Sequence, residues 1–97
     1  MHVPPVHVDH PEVRVIQPTW HCLLRFRQRT DLPPGGDAAL DGLRDALAAA
    51  TIDRVPPPWA AGRQAELWAV ADPFAFPLTR DGATTWSALT CLRRGTS

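Results

Sequence analysis

The chain has no lysine, no tyrosine, only two cysteines and only two glutamates among its 97 residues. It also lacks a glycine-rich phosphate loop, a paired-cysteine motif and the sequence signature of a catalytic nucleophile. The usual sequence evidence for a nucleotide site, a zinc site or nucleophilic catalysis is therefore missing. All ten basic residues are arginine and eight of the ten acidic residues are aspartate, a bias that is typical of GC-rich coding.

The net charge is zero, which argues against indiscriminate binding to nucleic acid but is compatible with a local basic patch. No apolar run is long enough to cross a bilayer, and the chain does not start with a basic leader followed by an apolar segment. We therefore expect a cytoplasmic protein without membrane contact, in which Cys22 and Cys91 are reduced and buried. His2, His7 and His10 could join Cys22 as metal ligands, but the arm offers no second cysteine or carboxylate at ligand spacing, so we expect no metal ion and no cofactor.

The length of the chain suits a single domain with one modest core. Residues 1–11 hold three histidines and three prolines and have no amphipathic period. We predict a flexible N-terminal arm over residues 1–11 and one folded domain over residues 12–97.

Residues 20–29 fit two kinds of element. On a helix, His21, Arg25, Gln28 and Arg29 form one polar arc and the apolar side chains fill most of the rest. On a strand, the apolar side chains and the arginines alternate almost as well. Composition favours the helix, because Leu, Arg and Gln are good helix formers and Thr19 is a suitable N-cap.

The remaining elements follow from their apolar periods and from turn residues. A second amphipathic helix is predicted over residues 38–50, and the prolines of residues 55–59 predict a stiff extended connector that packs Trp59 on the sheet. Alternating patterns predict strands over residues 12–16, 66–71, 74–78 and 84–94. The predicted fold is α+β, with two N-terminal helices packed on a small antiparallel sheet in the order β-α-α-β-β-β.

The last two predicted strands form a hairpin, because Asp81-Gly82 between them is a turn signal. Pro77 cannot donate a hydrogen bond to a neighbouring strand, so the strand over 74–78 is expected at the sheet edge or with a bulge. In the final strand, alternation places Trp86, Ala88, Thr90, Leu92 and Arg94 on one face.

Two short motifs carry most of the functional information. On a helix, the four-residue spacing of His21, Arg25 and Arg29 stacks an imidazole and two guanidinium groups on one stripe, which suits a phosphate group. The opposing interpretation is a solvated helix face with one histidine near its start. The second motif is the ending Ser87-Ala88-Leu89-Thr90-Cys91-Leu92-Arg93-Arg94.

With the order of elements over residues 13–94, these motifs resemble the RelE/ParE superfamily, and within it the BrnT-like proteins, whose first helix carries a His-Ala-x-x-Arg-x-x-x-Arg pattern. The resemblance implies a bacterial or phage toxin-type endoribonuclease that needs no metal, or an inactive relative of one. It also implies RNA as the substrate and an antitoxin or another protein as the partner. His21, Arg25, Arg29 and Thr90 would then be catalytic, and Arg94 would help to bind the substrate. Trp86 shares a face with Thr90 in that pattern and could stack on a base.

A different class of function remains open. The chain could be a non-catalytic binding module, such as an antitoxin or a phage accessory protein. In that case the strand over 74–78 would be exposed at the edge of the sheet and would pair with another chain.

Overall fold

The structure is a computed structural model and describes residues 3–30, 38–60 and 62–95. Within these residues the fold combines two α-helices with one seven-stranded sheet, which confirms the predicted α+β class. The helices are α1 (Trp20–Gln28) and α2 (Ala38–Ala49). The strands are β1 (Val6–His7), β2 (Val15–Pro18), β3 (Thr51–Asp53), β4 (Leu67–Ala71), β5 (Phe74–Arg80), β6 (Thr85–Ala88) and β7 (Leu92–Arg93).

The sheet is mixed, and this corrects the predicted antiparallel sheet. Its strand order is β1-β2-β6-β5-β4-β3, with β7 paired to β5 beyond the end of β6. Strands β2 and β6 run parallel, whereas the other pairs are antiparallel. The predicted β-α-α-β-β-β order is also wrong, because two strands precede α1 and β3 lies between α2 and β4.

Both predicted helices are confirmed. Helix α1 begins after Thr19, whose Oγ1 accepts a hydrogen bond from the Cys22 amide at 3.0 Å, as an N-cap does. It buries Cys22, Leu23 and Phe26, while α2 buries Ala39, Leu43 and Leu47. Neither helix has the length and the hydropathy that crossing a bilayer requires, within the described parts of the chain.

The N-terminal segment is part of the core, so the predicted flexible arm is wrong for its described residues 3–11. Val3 and Val6 are 3% and 4% exposed, and β1 pairs antiparallel with β2. The side-chain amide of Gln17 also donates a hydrogen bond to the carbonyl of Val3. A two-residue strand has no period to detect in sequence and forms only because β2 offers an open edge.

Strand β5 lies inside the sheet, which corrects its predicted edge position. It pairs with β4 on one side and with β6 and β7 on the other. The carbonyl of Pro77 accepts a hydrogen bond from the Leu89 amide at 3.2 Å. In an antiparallel strand, the backbone nitrogen and the carbonyl of one residue point to the same side. The nitrogen of Pro77, which carries no hydrogen to donate, therefore points to the gap between β6 and β7. The sheet therefore accommodates an interior proline.

The gap between β6 and β7 is a bulge of one extra residue. Ala88 pairs with Leu78, and Leu92 pairs with Ala75. Leu92 lies four residues after Ala88, whereas their partners on β5 are only three residues apart. The predicted continuous strand over 84–94 is therefore wrong, and Leu92 lies on the face opposite Ala88.

The two faces of the sheet carry separate apolar clusters. The larger cluster joins α1 and α2 to the face that includes Phe76, Leu78 and Trp86. The smaller one, on the opposite face, holds Trp68 and Ala75 under the 3₁₀ turn of Pro58–Ala60. Trp59 packs against this smaller cluster, as the sequence predicted.

Candidate functional site

The N-terminal end of α1 is fixed to the residue after β6. The Thr19 amide donates to the carbonyl of Ala88 at 3.1 Å, and Thr19 Oγ1 donates to the carbonyl of Leu89 at 3.0 Å. Because the same hydroxyl also caps the helix, one side chain sets both where α1 begins and where it sits on the sheet.

The C-terminal end of α1 is held by two arginines. Arg29 Nε donates to the carbonyl of Cys91 at 2.9 Å, and Arg93 Nη1 donates to the carbonyl of Arg29 at 2.6 Å. Burial raises the pKa of the Cys91 thiol to about 12, against the opposing effect of the Arg29 charge. Burial also raises the pKa of the Cys22 thiol, and both cysteines are buried and free of any disulfide. Arg29 therefore has a structural role at the bulge.

His21 and Arg25 remain together on the outer surface of α1. Arg25 Nε lies 3.4 Å from His21 Nε2, and Arg25 Nη1 donates to Gln28 Oε1 at 3.1 Å. The pair places an imidazole and a guanidinium side by side. The guanidinium can donate to a phosphate oxygen, and an imidazole can exchange a proton with a reacting group.

Trp86 does not belong to this surface, which corrects its predicted role in substrate binding. Its side chain is 1% exposed, and its Nε1 donates to the carbonyl of Glu12 at 2.9 Å. The guanidinium of Arg80 lies over the ring, 4.6 Å from the centroid. The indole is therefore a core group without a free face for a base.

Thr90 and Arg94 form no bond with the His21–Arg25 pair in the described parts of the chain. Thr90 is 5% exposed in the bulge, and Arg94 forms an ion pair of 2.9 Å with Asp72. No hydrogen bond or ion pair among the described residues links either of them to His21 or Arg25. The bulge between Ala88 and Leu92 ends the alternation on which the shared face of Thr90 and Arg94 was predicted.

An exposed apolar patch beside the pair was not predicted from the sequence. Trp20, Leu24 and Leu89 are 44%, 39% and 40% exposed. Trp20 and Leu24 are one helical turn apart, and Leu89 is joined to α1 through Thr19. The available signal was the width of the apolar arc of α1, which exceeds what one buried helix face needs.

The charge around α1 is positive although the chain is neutral overall. Helix α1 contains Arg25 and Arg27 and no acidic residue, and Arg29 follows it directly. Arg93 joins the same end of the helix through its bond to the Arg29 carbonyl. Helix α1 and its C-terminal end therefore form a local basic patch, which the zero net charge of the chain allows.

Metal ligation has little support among the described residues. No group of three or more histidine, cysteine, aspartate or glutamate side chains is arranged there to hold a metal ion. His2 lies outside the described residues.

Of the stripe predicted from the sequence, Arg29 has a structural role, whereas His21 and Arg25 lie on the outer surface of α1. Stability measurements can distinguish these two roles. We expect Arg29→Ala to lower the free energy of unfolding by about 1.5–3 kcal/mol, because it removes a charged donor from a carbonyl in the bulge. Arg25→Ala removes only contacts at the helix surface and should stay within about 0.5 kcal/mol of wild type. Urea denaturation checks both values, and an equal loss in the two variants would contradict this division.

Comparisons of the chain with protein-family models, with curated proteins and with solved structures find no match. The RelE/ParE resemblance therefore remains a prediction that depends on two short motifs.

Proposed function

We propose that the protein binds single-stranded RNA through the RNA surface, the name we use for Trp20, His21 and Arg25 on α1. The observation that carries this proposal is the contact of 3.4 Å between His21 and Arg25 on a helix without acidic residues. A phosphate can accept hydrogen bonds from the Arg25 guanidinium. The exposed face of Trp20 can stack on a base, as aromatic residues do in proteins that bind single strands.

The same residues support a metal-independent endoribonuclease of the toxin type, or an inactive relative of one. Nε2 of His21 takes the proton of a ribose 2′-hydroxyl, whose oxygen attacks the adjacent phosphorus. Arg25 stabilises the charge of the pentavalent phosphate. The bond to the 5′-oxygen breaks, and the imidazolium returns its proton to that oxygen. The products are a 2′,3′-cyclic phosphate and a 5′-hydroxyl.

A protein-binding module is the second candidate, and the exposed Leu24 and Leu89 favour it. Pairing through an exposed strand over 74–78, as the sequence suggests, is excluded because β5 lies in the interior of the sheet. A protein partner would instead cover the apolar patch on α1.

The RNA proposal is tested by fluorescence polarisation with a labelled single-stranded oligonucleotide in EDTA. We expect Arg25→Ala and Trp20→Ala each to weaken binding about tenfold, which corresponds to about 1.4 kcal/mol. The matched control is Arg44→Ala, an exposed arginine of α2 that lies between Asp41 and Asp45. This control should bind like wild type, and affinity should fall as salt concentration rises.

Cleavage is measured on the same oligonucleotide by separating the products and identifying their ends. His21→Ala should abolish any cleavage while keeping most of the binding. Wild-type binding without cleavage would identify an inactive relative. Absence of binding in the wild type, or equal losses in the Arg44→Ala control, would contradict the proposal and favour a protein partner.

A further inference from the structure

The face of the sheet that α1 and α2 leave uncovered carries a cleft of about 600 Å³. Pro56 forms one wall and residues 63–66 form the other. Trp68 of β4 lies at its base and Thr79 of β5 at its side. None of these residues belongs to the RNA surface.

Trp68 carries the one buried side-chain nitrogen or oxygen atom without a hydrogen-bond partner among the described residues. The residue has 0% exposure, and no described residue offers its Nε1 an acceptor. Trp86, the other fully buried tryptophan, donates its Nε1–H to the Glu12 carbonyl at 2.9 Å. A buried donor without an acceptor costs about 1–3 kcal/mol, so an acceptor supplied from outside would recover that free energy.

An acceptor reaches the buried Trp68 when residues 63–66, which line the cleft with it, move aside. Residues 63–66 belong to no helix or strand, and only Ala65 among them is even partly buried. Their displacement breaks no sheet pairing. Arg63 and Glu66 bring opposite charges to the opening, and neither forms an ion pair in the described part of the chain. The cleft therefore has no net charge and an apolar wall at Pro56.

We propose that this cleft binds a small, uncharged, flat ligand whose carbonyl oxygen or ring nitrogen accepts the Trp68 Nε1–H. Arg63 and Glu66 together give no net attraction for a charged ligand, and a purely apolar ligand would leave the indole donor unpaired. The flat shape follows from the sheet face and the indole at the base of the cleft.

The test uses two probes of similar size on the full chain. N-methyl-2-pyridone is planar and uncharged and carries one carbonyl acceptor, whereas fluorobenzene has no comparable acceptor. The four tryptophans produce four indole N–H signals in a proton–nitrogen correlation spectrum. We expect saturable, downfield movement of the Trp68 signal with the pyridone at millimolar concentration, and at least tenfold weaker binding of fluorobenzene.

Thr79→Phe supplies the blocking variant, because Thr79 is exposed and its replacement narrows the cleft without touching the indole. It should weaken pyridone binding at least tenfold. Thr51→Phe, an exposed strand position of β3 outside this cleft, is the matched control and should bind like wild type. The Trp68 indole signal is identified by its disappearance in the Trp68→Phe variant. If that variant does not fold, through-space contacts identify the signal in wild type.

A Trp68 signal that does not move in wild type would overturn the proposal. Equal binding of the two probes, or pyridone binding by Thr79→Phe at the wild-type affinity, would overturn it too. These measurements do not involve RNA, so they test the ligand proposal independently of the proposed function.

Discussion

Trp86→Ala is expected to lower the free energy of unfolding by about 3–5 kcal/mol, the range for removing a large aromatic side chain from a core. The indole packs in the cluster under α1 and α2, and its loss also leaves the Glu12 carbonyl without a donor. A domain of this size has a total stability of about 5–15 kcal/mol, so the variant should be close to unfolding at physiological temperature.

Thermal and urea denaturation followed by circular dichroism measure this effect, and the melting temperature should fall by more than about 10 °C. Trp20→Ala is the matched control, because Trp20 is 44% exposed. It should change stability by less than about 1 kcal/mol while weakening RNA binding. If Trp86→Ala kept its stability and lost RNA binding, Trp86 would be a ligand-binding residue as the sequence first indicated.

Val6→Asn is expected to destabilise the protein by about 3 kcal/mol or more, because it removes apolar burial and places an amide in the core. Val6 is 4% exposed and pairs with Ile16 in the sheet. The same substitution in a flexible arm would have no measurable effect on unfolding.

His7→Asn is the control for Val6→Asn, since His7 is the neighbouring residue of β1 and its side chain is exposed. We expect it to stay within about 0.5 kcal/mol of wild type in urea denaturation. If both variants were as stable as wild type, the result would support the predicted flexible arm over residues 1–11.

Helices α1 and α2 and the hairpin of β5 and β6 could be predicted because their signals are local. The Thr19 cap, the period of the apolar side chains in α2 and the Asp81-Gly82 turn each act within a few residues. The parallel pairing of β2 with β6 joins residues that are 70 positions apart, as Ile16 and Trp86 show. No period within one segment reports on such a pairing.

The same distinction between local and long-range contacts applies to the candidate site. His21 and Arg25 lie within one helical turn, so their contact follows from sequence spacing. Arg29 has the same spacing but reaches the carbonyl of Cys91, 62 residues away. Helical spacing assigns a side chain to a face of the helix, but the neighbouring strand decides whether that face is free.

The amino-acid sequence alone determined where the chain coils, which residues form the arginine stripe and where the hairpin turns, because each depends on short-range sterics, capping and amphipathic period. The tertiary structure alone decided that the N-terminal valines are buried, that Pro77 lies in the interior, that Trp86 is a core residue and that Arg94 pairs with Asp72. The physical reason is that each of these outcomes depends on pairing or packing between segments that are far apart in the chain. One example is the single extra residue between Ala88 and Leu92. It reverses the faces of the last strand, and only pairing with β5 reveals it.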